Sequence, residues 1–201
     1  MNRILERFTS EIVINKSRFI GIMIPISNDS EVKEILKELA KEYPKATHYC
    51  YAYRVLGKEK SSDDGEPSGT AGRPMLEFLI NNQLENILVV VIRYFGGIKL
   101  GAGGLLRAYV DSCRSVYSKC KVFTIEKHQL YSISVDYKYF DSLKNYLLHQ
   151  NGVIQETLFE EEIIIKYLSS SIDKDDLLEI TNGKIDIKSL GEQLVYLERK
   201  G

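Results

Sequence analysis

The apolar run Ile87–Ile92, ILVVVI, leads directly into Arg93–Tyr109, RYFGGIKLGAGGLLRAY, and this pair of segments limits the possible folds more than any other feature. A strand that is apolar at every position has to be covered on both faces, so it belongs at the centre of a sheet with a layer on each side. Beyond the glycines, Leu105, Leu106, Tyr109, Val110, Cys113, Val116, Tyr117 and Cys120 recur as one helical stripe. Strand, glycine-rich turn and helix form a layout in which backbone amides and a helix N-terminus can hold a phosphate or carboxylate. Gly96, Gly97, Gly101, Gly103 and Gly104 supply bare backbone, and Arg93, Lys99 and Arg107 are the candidate cations. The spacing matches neither a Walker A loop nor GxGxxG followed by an acidic residue. Glycines that serve only positive φ or close packing are therefore the competing reading.

Upstream, Glu11–Pro25 carries β-branched residues on both sides of Asn15-Lys16-Ser17 and predicts a hairpin. Val32, Ile35, Leu36, Leu39 and Tyr43 predict a helix over Glu31–Tyr43, with Ser30 as its N-cap and Pro44 just beyond its end. Thr47–Val55 alternates, which puts Tyr49, Tyr51 and Tyr53 on one face and His48, Cys50, Ala52 and Arg54 on the other. His48 and Cys50 are thus neighbours, and a Cys–His nucleophilic pair has to be weighed against an interior histidine beside an inert thiol. Gly57–Pro74 reads as a long loop, followed by a short helix over Met75–Leu84. In that loop Asp63, Asp64 and Glu66 are hard oxygen ligands, accompanied by Ser68, Thr70 and Arg73; solvated charges around an Asp-Gly turn are the plainer reading. Arg54 is expected to pair with this acidic loop.

Past about Lys127 glycine becomes sparse and a new series begins. It comprises strand Leu130–Asp136, helix Tyr139–Gln150, strands Val153–Glu160 and Glu162–Ser169, helix Asp173–Thr181 and strand Gln193–Arg199. The βαββαβ order predicts a ferredoxin-like second domain over residues 128–201, after a first domain over 1–127. Lys and Arg number 27 against 28 Asp and Glu, for a net charge of -1, so no global field draws the chain to nucleic acid or lipid and any anion site is local. Cys50, Cys113 and Cys120 are odd in number and lack CxxC spacing, which points to thiols without a disulfide framework or structural zinc. The opening MNRILERFTSEIV has no apolar core of a leader, and no run approaches the ~20 apolar residues of a membrane span, so a cytoplasmic protein is expected.

Three segments together resemble the YigZ/IMPACT family: HYCYAYR at His48–Arg54, DDGEPSGTAGRPML at Asp63–Leu76 and VVIRYFGGIKLGAGGLLRAY at Val90–Tyr109. The resemblance implies an α+β protein, with an N-terminal domain of the ribosomal-protein-S-five domain-two type and a ferredoxin-like C-terminal domain similar to one in translation elongation factor G. It implies a role in translation, through RNA, the ribosome or a translation factor, and no secure catalytic assignment. The expected function is a binding module whose anion cleft lies between the glycine-rich turn and the acidic loop. The alternative is an enzyme acting on a phosphorylated or nucleotide-like molecule, with a metal held by the acidic loop. In a third, structural reading that loop pins Arg54, Arg73 and Arg93.

Overall fold

The computed structural model describes residues 1–199, and residues 200–201 of the expected C-terminal domain lie outside the described residues. The chain divides into two compact units. The first comprises Met1–Thr124 with Glu198 and Arg199, and the second Ile125–Leu197.

The first unit is built on an antiparallel sheet of five strands: β2 (Phe8–Ile14), β3 (Ser17–Pro25), β4 (His48–Val55), β5 (Lys58–Ser62) and β6 (Ile87–Tyr94). Their spatial order is β2-β3-β6-β4-β5, so the apolar run is the central strand. Its side chains alternate between two cores. Ile87, Val89 and Val91 pack with α2 (Gly72–Asn81) and α3 (Gly101–Tyr117), while Leu88, Val90 and Ile92 pack with α1 (Val32–Glu42). All six are fully buried, and burial of each such side chain stabilises the fold by about 1.5–3 kcal/mol. The predicted hairpin is β2–β3, turning at Asn15 and Lys16 with φ of 46° and 64°, the two positive values that match a tight turn to strand twist. A short strand β1 (Asn2–Ile4) pairs with Val122–Thr124, the first residues of β7 (Val122–Val135).

Several boundaries differ from the sequence expectation. The segment taken as the start of a long loop forms β5, an edge strand whose polar KEKSS residues carry no apolar period. Helix α2 begins at Gly72 rather than Met75. The expected cap Ser30 instead lies inside a short 3-10 turn, Asp29–Glu31, capped by Asn28 with Glu31 completing a capping box.

In the second unit β7 is followed by α4 (Tyr137–His149), β8 (Val153–Phe159), β9 (Ile163–Ser169), α5 (Lys174–Ile180) and β10 (Ile185–Glu198). The sheet order β10-β7-β9-β8 places the four strands as 4-1-3-2, the ferredoxin-like arrangement. Ile133, Val135, Leu143, Leu147, Ile165 and Leu177 form its core. The fold class is α+β, as expected.

Candidate functional site

The loop after β5 folds back on itself because Asp63 collects backbone amides. Its Oδ2 accepts from Gly69 N at 2.9 Å, and its Oδ1 accepts from Ala71 N at 2.9 Å and Gly72 N at 2.8 Å, the entry to α2. An anionic acceptor at the positive end of a helix dipole is a favourable place for a carboxylate. Burial raises the Asp63 pKa, but the amide bonds outweigh it and hold the carboxyl below its ordinary value of 3.8. Because the folded-state value is depressed, this stabilisation is complete above the ordinary value and is lost as pH falls through the depressed one. Asp63→Asn keeps one oxygen acceptor and loses the charge. It is expected to cost about 1–2 kcal/mol at pH 7 and to shrink the loss of stability below pH 4, checked by urea denaturation across pH.

Asp64 is used in the same way, its Oδ2 accepting from Tyr49 N at 2.6 Å, and its carbonyl oxygen lies 2.8 Å from His48 Nδ1. A carbonyl only accepts, so Nδ1 carries a proton and Nε2 is the free position of the ring. Glu66 is buried, and its Oε1 accepts from Arg93 Nη1 at 2.5 Å and from the Tyr109 hydroxyl at 2.8 Å, with His48 Nε2 3.8 Å away. The carboxylate therefore ties together β6 and α3. Arg93 is itself buried, lies against the rings of Phe19 and Phe95 at 5.3 Å from each centroid, and among the described residues its Nε has no hydrogen-bond partner. Burial raises the pKa of the Tyr109 hydroxyl, which donates as a neutral phenol.

The Cys50 thiol donates to the Asp63 carbonyl at 2.9 Å and lies 3.3 Å from the Tyr109 hydroxyl. Burial pushes it up to about 12, the opposite of an activated nucleophile. The ring of His48 faces Asp64 and Glu66, so the nucleophilic pair considered from spacing is not assembled. Arg54 pairs with none of Asp63, Asp64 and Glu66, contrary to expectation: its ion-pair partners are Glu59, on β5, at 2.7 Å and Glu85 at 2.9 Å. Arg73 pairs with Glu77 along α2, Thr70 donates to the Pro67 carbonyl, and Ser68 is exposed. Among the described residues no cluster of three or more His, Cys, Asp or Glu side chains is placed to hold a metal ion.

Of these groups, His48, Glu66 and Arg93 meet at a cavity of about 420 Å³. Its polar wall is Thr47, His48, Glu66, Arg93 and Lys99; its apolar wall is Phe95, Leu100, Ala102 and Leu105, and Gly101 opens α3 beside them. A few convergent polar groups in a mainly apolar cavity of this size is the usual composition of a ligand site. Among the described residues no side chain caps α3, so its first amides lack the kind of partner that Asp63 gives α2. Lys99 makes no ion pair among the described residues.

Of the residues singled out from sequence, Arg93, Lys99, Gly101, His48 and Glu66 line this cavity, whereas Arg107, Gly96, Gly97, Gly103 and Gly104 do not. Gly96 has a packing role, since a Cβ there would collide with the Lys16 carbonyl at the tip of the β2–β3 hairpin. Gly103 has open space around it and an ordinary helical φ. Phe95, Leu100 and Leu105 were missed as wall residues. The signal for Phe95 was an aromatic side chain placed between the end of the central strand and the first glycine.

A family model described as the Impact N-terminal domain matches residues 15–117. A Bacillus subtilis protein, IMPACT family member YvyE, is 41% identical over 94% of this chain and 89% of its own length. The chain belongs to the IMPACT family. Within that family, the Escherichia coli member YigZ is 43% identical over 48% of this chain, and the match spans half of its length. A solved structure described as a hypothetical protein covers 96% of this IMPACT-family chain and 98% of its own, at 25% identity and a TM-score of 0.60. The matched residues 15–117 include every residue lining the cavity. No helix among the described residues is long and apolar enough to cross a membrane.

Proposed function

We propose that this chain is a translation-linked regulatory binding protein that engages RNA through the cavity at the start of α3. Family membership supports the translational role, which is what the resemblance implies. The observation that carries the binding mode is the convergence of Lys99 and the uncapped first turn of α3 on one cavity. Both favour an anion, by charge and by backbone N–H groups.

The alternative, metal-dependent reading finds little support in the acidic loop, because Asp63 and Asp64 accept backbone amides and Glu66 accepts Arg93 and Tyr109.

Fluorescence anisotropy with an unstructured RNA tests the proposal. The logarithm of affinity is expected to fall linearly with the logarithm of salt, with a slope of roughly −0.7 for the one phosphate held at Lys99. Lys99→Ala is expected to weaken binding and to remove most of that slope, since it takes away the cation facing the phosphate. Binding that ignores salt, or a Lys99→Ala protein that binds as the parent does, would contradict it.

A further inference from the structure

We infer that the unit of RNA recognised in this cavity is one unstacked base, held on the ring of Phe95 with its own phosphate at Lys99 and the first turn of α3; the inference rests on the RNA-binding reading above. A duplex offers its phosphates on a convex surface with its bases stacked inside, whereas a walled cavity of about 420 Å³ takes a single nucleotide.

Phe95 is the feature that separates these cases. It follows the last residue of β6 yet is 46% exposed, an aromatic side chain on the surface of a strand end whose six preceding apolar residues, Ile87–Ile92, are fully buried. Its backbone is fixed, because its N–H donates to Thr47 Oγ1 at 3.0 Å. The buried Arg93 guanidinium lies over the ring, which leaves the exposed part to a ligand. Arg93 lines the same cavity, and among the described residues its buried Nε has no hydrogen-bond partner.

The apolar wall continues the argument. Leu100, Ala102 and Leu105 face the cavity from the start of α3, so a ligand must bring an apolar or π surface as well as charge. Inorganic phosphate has none, and a phosphate backbone alone would leave this wall unmatched. A nucleotide supplies a planar base for the ring and leucines and an anion for Lys99 and the amides.

The test uses the full chain and three probes: a single-stranded oligonucleotide carrying 2-aminopurine, the same sequence as a duplex, and inorganic phosphate. Stacking predicts that the single strand binds with a change in 2-aminopurine emission and that the duplex binds at least tenfold more weakly. Phe95→Ala is expected to lose about 5- to 150-fold in single-strand affinity, the range found for one base–aromatic stack, while Phe95→Trp retains the affinity. Thermal unfolding of both variants establishes that they are folded. Equal affinity for duplex and single strand, with no effect of Phe95→Ala, overturns the single-base inference and leaves the RNA reading standing. Binding of inorganic phosphate with neither oligonucleotide bound overturns both.

Discussion

Glu66→Ala is expected to destabilise the first unit by about 3–5 kcal/mol, more than any other single side-chain truncation at the cavity. The Glu66 and Arg93 side chains are 3% and 5% exposed, so removing the carboxylate leaves a guanidinium in the interior without its counter-charge. The same change takes the acceptor from the Tyr109 hydroxyl, which is buried beneath α3. Exposed pairs such as Arg114–Asp111 on α3 provide the contrast, because truncating either partner there costs a few tenths of a kcal/mol to about 1 kcal/mol. Urea denaturation of Glu66→Ala beside Asp111→Ala makes the comparison directly. A Glu66→Ala protein within about 1 kcal/mol of the parent would show that the carboxylate does not hold β6 and α3 together.

Gly96→Ala is expected to be the most damaging of the glycine substitutions, at about 3 kcal/mol or more. A methyl group at this position meets the carbonyl of Lys16 and the amide of Ser17, which are backbone atoms fixed by the hairpin and cannot rotate away. Gly96 N also donates to Ser17 Oγ at 3.1 Å, so relieving the collision breaks that bond. Gly103→Ala is the control, since its Cβ meets nothing and helix propensity favours alanine by roughly 1 kcal/mol. The two variants should move the urea midpoint in opposite directions.

The central strand was legible because its six apolar residues leave only one environment that accepts them, between two cores. The alternation of His48–Val55 was legible for a related reason: Cys50 and Ala52 enter one core while Tyr49, Tyr51 and Tyr53 pack against the other. Strand β5 was not, because an edge strand needs one partner and no burial, and Lys58–Ser62 is held by its register with Tyr51–Val55. The start of α2 was hidden in another way. Its cap comes from Asp63, nine residues before Gly72, where a local search for a capping side chain does not reach. The site mixes both cases. Arg93 and Lys99 stand out as cations beside glycines, but spacing does not reveal that Arg93 is neutralised by a carboxylate 27 residues upstream or that Arg107 lies off the cavity wall.

The hairpin tip at Asn15-Lys16 has one further effect. By receiving Gly96 against its backbone while Thr47 holds the amide of Phe95, it clamps both ends of the aromatic shelf before any ligand arrives. Ordering one residue of backbone costs about 1–2 kcal/mol, and here that cost is met during folding. A ligand bound as proposed on this shelf would meet a preorganised surface and keep more of its contact energy as affinity.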